Sequence, residues 1–357
     1  MNAEYSSFGS LLEDLWSLFP AALLGGSGWE RLQPLANRLP ACVADSRFGF
    51  EFHLSDPTPT GDFFVISSPH TGLAEFCRRL TEATAAELVG TEFTTFLDEQ
   101  VHHPDSFLTR TGKGIILEYD LSRSPPGQYG VPGVFIVPSG FPEPDPVELY
   151  EDPAALVAAL RSVAGWAPDV AESCHMEQAC AALADCGVYV SHAGVMPGRA
   201  ERAIRLVALG VDGAKVAEGL RRVQWPGDPS QAVAILSEFA GLVSPSCGLG
   251  ISVTSQGVLP RLDLELTRKR TQGSPRSQPF LLDRTGWKLP IDRLVERGWC
   301  LPAKADGLRE WPNLDMFFGQ DGMYQVRQII NHFKVVLDRG AVYSKAYVAM
   351  DVRRTSQ

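Results

Sequence analysis

The sequence predicts an α+β fold: a ten-stranded antiparallel β-barrel whose outside is covered by helices. Segments that alternate apolar and polar residues arrive in consecutive pairs, and helical patterns separate one pair from the next. One of them, "PRLDLELT" (260–267), alternates three leucines with Arg261, Asp263 and Glu265. Because successive side chains of a strand point to opposite faces, this strand has one apolar face and one ionisable face.

The alternating segments form five pairs. They are 48–54 with 62–68, 114–121 with 132–138, 188–196 with 202–211, 249–257 with 260–267, and 331–337 with 342–350. Each pair reads as an antiparallel hairpin, and ten such strands can close into a barrel when the last pairs with the first, which removes every free edge. A parallel, doubly wound sheet is excluded because its strands cannot be joined by hairpins.

Helical periodicity precedes every strand pair. The predicted helices cover 9–19, 28–39, 72–88, 93–100, 152–166, 176–187, 214–223, 229–243, 291–300 and 305–311. Asp152 is a suitable N-cap with Pro153 at the first helical position, and Gly187 is a suitable C-cap. The chain is therefore predicted to be a single domain, residues 1–357, of five helix-helix-strand-strand units. Their approximate bounds are 8–68, 71–138, 152–211, 214–267 and 290–352, and segment 268–290 is a candidate lid.

Composition restricts the function classes. The 357 residues carry a formal net charge of −10, which argues against binding to nucleic-acid backbone or to anionic membranes. No segment has eighteen apolar residues in a row, and the N-terminus lacks the features of a signal peptide, so we expect a cytoplasmic protein. The seven cysteines form no C-x-x-C pair and the histidines no H-E-x-x-H, so no metal site is predicted.

In a barrel wrapped by helices, the apolar strand faces point outward and the polar faces line the lumen. A ten-stranded barrel is wider than the eight-stranded kind that side chains fill, so its lumen can hold a ligand. The alternation assigns to the lumen Glu51, His53, Glu118, Asp120, Arg205, Ser252, Thr254, Arg261, Asp263, Glu265, His332, Lys334, Lys345 and Tyr347. Carboxylates, histidines and lysines in a partly desolvated chamber have shifted pKa values, the condition for general acid/base catalysis.

Each of these residues also has a structural interpretation. Glu51 can neutralise a lysine across the barrel, and Asp263 and Glu265 can form an internal salt-bridge network with Arg261 and Arg205. His53 and His332 can serve as ordinary hydrogen-bonding groups. The sequence alone leaves both interpretations open.

The stretch "GFEFHLSD" (49–56) resembles the first-strand motif of the indole prenyltransferases of the dimethylallyltryptophan synthase type. These enzymes belong to the ABBA-type aromatic prenyltransferases, whose fold, the PT barrel, has five ααββ units. The resemblance implies that Glu51 holds the N–H of an indole. It also implies an allylic diphosphate co-substrate bound by cations on successive strands, with no motif that requires Mg²⁺.

The pair Lys345 and Tyr347 in "SKAYVAM" matches the family's Lys-x-Tyr pattern, in which the tyrosine shields the allylic cation. On this resemblance the residues that bind substrate or diphosphate are Arg205, Arg261, His332, Lys334, Lys345 and Tyr347. The chain departs from the pattern elsewhere: Gly133 and Phe135 on one strand and Asp263 and Glu265 on another stand where Lys and Tyr are expected. Two carboxylates at a cation position would repel a diphosphate.

Three functions remain open at this stage. The first is an aromatic prenyltransferase of secondary metabolism that acts on an indole, another aromatic natural product or a peptide. The second is a barrel that isomerises, epimerises or cyclises such a substrate without diphosphate, with Glu51, His53, Glu118, Asp263 and Glu265 as acids and bases. The third is a non-enzymatic barrel that binds a small molecule or peptide. None of them requires a cofactor beyond the allylic diphosphate of the first.

Overall fold

A computed structural model describes residues 5–67, 78–79, 89–102, 114–125, 128–137, 153–268, 285–320 and 322–355. The strands are β1 (Arg47–His53), β2 (Asp62–Ser67), β3 (Gly114–Tyr119), β4 (Gly133–Val137), β5 (Tyr189–Val195), β6 (Ile204–Asp212), β7 (Ser246–Thr254), β8 (Gly257–Leu266), β9 (Asn313–Gly319), β10 (Gly322–Asp338) and β11 (Ala341–Arg354). The α-helices are α1 (Phe8–Leu15), α2 (Gly26–Ala36), α3 (Thr91–His102), α4 (Pro153–Ala164), α5 (Val170–Asp185), α6 (Val216–Arg222), α7 (Pro229–Glu238), α8 (Lys288–Glu296) and α9 (Pro302–Glu310).

Ten of these strands form a closed antiparallel barrel. Neighbours follow chain order from β1 to β8, then β10 and β11, and β11 pairs back onto β1. The hydrogen-bonded register joins Glu51 to Tyr347 across the closing seam. The predicted antiparallel barrel with surrounding helices is therefore present.

Strand β9 lies outside the closed ring and was not predicted. It pairs with the first half of β10, which begins at Gly322 instead of residue 331. Leu314, Met316 and Phe318 of β9 are exposed, whereas its Phe317 packs against the core, so the apolar positions of this strand do not predict its buried face.

The outer face of the barrel is apolar because helices cover it. Phe48, Phe50 and Phe52 of β1 are fully buried, and the Phe8 ring of α1 lies 4.9 Å from that of Phe48. A capping box between Ser7 and Ser10 starts α1 at this position. The leucines of "LDLEL" on β8 are likewise fully buried, as the alternating pattern requires.

Two of the described helical regions differ from the predicted ones. Helix α5 starts at Val170, earlier than expected, because the Asp169 side chain accepts a hydrogen bond from the Glu172 amide. Between β2 and β3 the described residues contain one complete helix, α3, because most of the predicted helix 72–88 lies outside them. Asp152 and most of the candidate lid, 269–284, also lie outside the described residues.

No helix among the described residues combines the length and hydrophobicity that crossing a bilayer requires.

Candidate functional site

Glycines create the space in which the large luminal side chains lie. Along the barrel, five luminal glycines each stand directly opposite a large luminal residue on the next strand. The register pairs are Gly49 with Phe64, Gly133 with Glu118, Gly194 with Phe135, Gly248 with Glu265, and Gly250 with Asp263. Because the glycine opposite has no side chain, the large residue can extend over the neighbouring strand.

The contacts at three of these glycines show how tight this fit is. A Cβ atom on Gly250 would lie 3.0 Å from Cβ of Asp263, and one on Gly248 would lie 2.9 Å from Cβ of Glu265. A Cβ on Gly194 would overlap the Phe135 ring. These glycines are needed for close packing, because none of the three has a positive φ angle.

All eleven residues predicted from the sequence as site residues belong to one contact network in the lumen. Its links are hydrogen bonds, ion pairs and ring contacts, and each member contacts at least one other member. The members are Glu51, His53, Glu118, Arg205, Arg261, Asp263, Glu265, His332, Lys334, Lys345 and Tyr347. The network contains four carboxyl groups, two arginines and two lysines, so its charges balance when all of them are ionised.

Glu51 of β1 lies at one end of the network. Its carboxylate accepts hydrogen bonds from the Lys345 ammonium and the Tyr347 hydroxyl of β11. Burial raises the pKa of Glu51, but the charges of Lys345, Lys334 and His53 outweigh it and hold this pKa well below its ordinary value. Glu51 is therefore an ionised hydrogen-bond acceptor at neutral pH.

Glu118 of β3 has the opposite electrostatic environment. It is buried, its Oε1 lies 3.3 Å from the Tyr347 hydroxyl, and no described cation forms an ion pair with it. Burial, followed by the nearby charge of Glu51, raises the pKa of Glu118 from 4.5 to about 7. The carboxyl groups of Glu51 and Glu118 thus both contact the Tyr347 hydroxyl. Glu51 is ionised, and Glu118 titrates near neutral pH.

Asp263 of β8 organises the cations at the other end. It forms an ion pair with Arg205 of β6, accepts a hydrogen bond of 3.1 Å from Nε of Arg261, and lies 3.7 Å from the Lys334 ammonium. Arg205 lies opposite Ser252 of β7, and the Asp263 side chain lies over Gly250 of the same strand, so the ion pair spans β7. Lys334 also lies 3.2 Å from Glu265.

Burial governs the titration of this end as well. It lowers the pKa of Arg205 to about 10, so the guanidinium stays charged at neutral pH. For Glu265, burial raises the pKa but the charges of Lys334, His332 and His192 outweigh it and bring the value to about 2. Each of the four predicted cations therefore already has a carboxylate partner.

The Tyr347 ring is covered by two other members. His332 stacks on it with a centroid distance of 4.5 Å, and the Lys334 ammonium lies 4.3 Å from the ring centroid. Burial lowers the pKa of His332 to about 4, so its ring is neutral at pH 7. The aromatic surface expected to shield an allylic cation is in contact with the protein's own groups.

Three further residues were assigned to the lumen from alternation. Asp120 forms a bidentate ion pair of 2.8 Å with Arg199, and Ser252 lies opposite Arg205. Thr254 is different: its hydroxyl donates to the Gly257 carbonyl at 3.1 Å, so it stabilises the β7–β8 turn. The strand ends at Thr254, and the side chain serves the hairpin instead of the chamber.

The structure adds luminal residues that the sequence analysis missed. Asp62 pairs with Glu51 in register, while Phe64, Phe135 and His192 line the lumen on β2, β4 and β5. His192 was missed because a bulge at Ser191 interrupts the two-residue period, so Val190 faces outward and His192 inward. Phe135 stands where the resemblance expects a tyrosine, whereas the run "DFFV" of β2 has no alternation that identifies Phe64; the luminal glycine opposite each ring is the signal that would identify it.

One group of described residues has the geometry for metal binding. Glu51, His53 and Asp62 are, within the described part of the chain, the one group whose ligand atoms all lie within 4.8 Å of one another. Nε2 of His53 lies 3.5 Å from Glu51 and 3.6 Å from Asp62. The same Glu51 oxygen accepts the Lys345 hydrogen bond, so a metal ion would compete with an ammonium for it.

Comparison with known proteins supplies no assignment. No protein-family model matches the chain, and no curated protein matches it.

Proposed function

We propose that the chain is an enzyme that binds an aromatic natural product or peptide side chain in the barrel lumen and moves protons on it without a diphosphate. Glu118 is the acid/base group, and Tyr347 with ionised Glu51 is its hydrogen-bonding partner. The observation that carries the proposal is the position of Glu118: buried, 3.3 Å from the Tyr347 hydroxyl, with a pKa raised by burial to about 7. An acid/base catalyst is most effective when its pKa lies near the working pH.

The reaction class follows from this protonation behaviour. Ionised Glu118 takes a proton from one substrate atom, and protonated Glu118 returns a proton to another atom. The enzyme ends in its starting state, so an isomerisation of this kind needs no oxidant, reductant or second substrate. Because the single hydroxyl proton of Tyr347 goes to Glu51, its oxygen can accept a hydrogen bond from protonated Glu118 and so orient that carboxyl group.

The charge pattern supports a substrate without strong negative charge. Arg205 and Arg261 are paired with Asp263, Lys334 with Glu265, and Lys345 with Glu51. A diphosphate would have to displace these carboxylates in a poorly solvated chamber, where repulsion amounts to several kcal/mol at about 4 Å. Phe64 and Phe135 add buried aromatic rings beside Tyr347 and His192, and aromatic surroundings of this kind favour an aromatic group over a charged one.

The experiment that tests the proposal uses solvent deuterium. The full chain is incubated in D₂O with indole and tryptophan derivatives and with any molecule that co-purifies, and deuterium in the recovered compound is measured by mass spectrometry. We expect incorporation with the wild type, loss of at least a hundredfold in rate with Glu118→Gln, and no change with Glu310→Gln on the exposed face of α9. Binding without exchange would instead support a non-enzymatic, ligand-binding barrel.

Aromatic prenyl transfer is the second candidate, and one observation favours it. The first-strand glutamate and the last-strand Lys-x-Tyr pair, on which the resemblance to the indole prenyltransferases rests, are in direct contact through Glu51, Lys345 and Tyr347. In that reaction Glu51 orients the aromatic N–H and the ring carbon bonds to the allylic carbon. The carbon–oxygen bond to diphosphate breaks, and a base removes the ring proton.

If the chain is such a prenyltransferase, we expect its barrel to consist of the five ααββ units of the PT barrel. It predicts diphosphate release from dimethylallyl diphosphate in the presence of tryptophan, and loss of that activity in Glu51→Gln. No release with several allylic diphosphates would remove it.

A further inference from the structure

His192 lies in the lumen because of an irregularity in β5. The register pairs Val190 with Ala208 and His192 with Val207, so Ser191 is an extra residue between them. Val207 is opposite Gly250, which is opposite Asp263, and this places His192 on the luminal face. Its ring lies edge-on to that of Phe135 at a centroid distance of 5.8 Å.

Two contacts at the bulge favour one position of the proton on the His192 ring. The Ser191 hydroxyl lies 3.1 Å from the Val207 carbonyl and 2.8 Å from Nδ1 of His192. A carbonyl only accepts, so both contacts are hydrogen bonds at the same time only when the hydroxyl donates its single proton to Val207. The Ser191 oxygen can then bond to His192 only as an acceptor, which requires a proton on Nδ1.

The other ring nitrogen is thereby left as an acceptor. In a neutral imidazole with its proton on Nδ1, Nε2 carries a lone pair. No described residue hydrogen-bonds to Nε2 of His192, and this atom is absent from the buried polar atoms without partners, in contrast to Nε2 of His53 and His332. Nε2 of His192 is therefore accessible.

We propose that His192 presents an unprotonated Nε2 to the lumen as a fixed hydrogen-bond acceptor, which binds an N–H or O–H group of the ligand. Ser191 is the positioning residue, since its hydroxyl sets the tautomer. The ligand contact rests on the proposed function in the lumen, whereas the tautomer does not. The groups that face this ring across the lumen are Glu265, Lys334, His332 and Arg205.

The tautomer is tested by long-range ¹H–¹⁵N correlation on ¹⁵N-labelled full-length protein at pH 7, with assignment by His192→Asn. We expect the Nδ1–H tautomer for His192 and a shift toward Nε2–H in Ser191→Ala. His175 is the internal control: its Nδ1 lies 3.2 Å from the Thr254 carbonyl, so it should show the same tautomer in both proteins. An Nε2–H tautomer, or an imidazolium, at His192 of the wild type would overturn the assignment.

Access from the lumen is tested by diethyl pyrocarbonate, which acylates unprotonated imidazole nitrogen. Peptide mass spectrometry should find His192 modified before His53 and His332, whose Nε2 atoms are buried. Faster modification of His53 or His332 would contradict the exposed position of Nε2.

The ligand contact is tested with a matched pair of probes, indole and 1-methylindole, titrated by NMR. A neutral hydrogen bond is worth roughly threefold to tenfold in affinity, so indole should bind tighter by that factor, and His192→Phe should abolish the difference. Equal affinities, or no binding of either probe, would overturn the contact. The NMR and acylation experiments require no turnover, so they test the His192 tautomer and its accessibility independently of the proposed reaction.

Discussion

The Tyr347 hydroxyl lies 3.3 Å from Oε1 of Glu118 while it donates its proton to Glu51. The two carboxyl groups differ in their neighbours: Lys345 bonds to Glu51, and no described cation forms an ion pair with Glu118. One barrel level therefore holds a permanently ionised acceptor and a carboxyl group that changes charge near neutral pH.

The first prediction concerns stability against pH. The folded pKa of Glu118, about 7, lies above the unfolded value of 4.5. The protonated form is thus favoured in the native state, and the associated stability is present below pH 4.5 and lost as pH rises through 7. The loss is about 3 kcal/mol for one fully buried group. We expect Glu118→Gln, which stays neutral, to exceed the wild type in unfolding free energy at pH 8 by up to that amount.

Urea denaturation at pH 5 and pH 8 measures this effect. The exposed Glu310→Gln variant should follow the wild type at both pH values. A Glu118→Gln variant that is less stable than the wild type at pH 8 would contradict the assigned environment.

The second prediction concerns anion binding. Asp263 neutralises Arg205 and Arg261, so Asp263→Asn leaves these guanidinium groups without their carboxylate. We expect this variant to bind inorganic diphosphate at least tenfold tighter than the wild type in calorimetry, because a repulsive charge near the site is removed. Glu265→Gln, which frees Lys334, provides a second route if Asp263→Asn folds poorly.

A surface ion pair is the control for this measurement. Asp292 lies 2.6 Å from Arg309 on the exposed side of α8 and α9, and Asp292→Asn should leave diphosphate affinity unchanged. Tight diphosphate binding by the wild type would favour prenyl transfer over the proton-transfer reaction.

The third prediction concerns the luminal glycines. A methyl group at Gly194 would overlap the Phe135 ring, so Gly194→Ala should lower the unfolding free energy by roughly 1–3 kcal/mol, the usual cost of overpacking. Phe135→Leu should recover part of this loss in the double variant, because a smaller side chain leaves room for the methyl group.

Gly26→Ala is the matched control, since nothing lies within 4 Å of the position that its methyl group would take. If both alanine variants unfolded at the same denaturant concentration, the glycines would not be packing residues.

Part of this architecture was predictable from the two-residue period of apolar and polar residues along the strands. The phase of β8 follows from its strict alternation, and that of β1 from Phe48, Phe50 and Phe52. Two other features do not follow from period. The bulge at Ser191 shifts the phase of one strand, and β9 exposes its apolar side. Both depend on the register between strands, which the sequence of a single strand does not contain.

The contacts within the luminal network could not be predicted without the register between strands either. Arg205 and Asp263 lie on strands that are not neighbours, and their ion pair spans β7, which separates them. The sequence indicated that Glu51 and Lys345 are luminal but left open whether they serve catalysis or neutralise each other. The structure places them in contact, and Glu118, which no cation pairs with among the described residues, becomes the more informative carboxyl group.

The fourth prediction concerns acid. The folded pKa of His332, about 4, lies below its ordinary value of 6.5 because of burial. The corresponding stability is present above pH 6.5 and lost as pH falls through 4, by about 3 kcal/mol at most. We expect His332→Gln to flatten the decline in unfolding free energy between pH 6.5 and 4, measured by urea denaturation across this range.

The most direct test of the account is the pKa of Glu118, measured from the pH dependence of its carboxyl ¹³C signal in the full-length protein, assigned with Glu118→Gln. We expect a midpoint near the value of about 7 in the wild type and a lower midpoint in Glu51→Gln, because the neighbouring negative charge is removed. A wild-type midpoint near the ordinary 4.5, or one that Glu51→Gln leaves unchanged, would contradict the claim that this barrel holds an acid/base group poised for neutral pH.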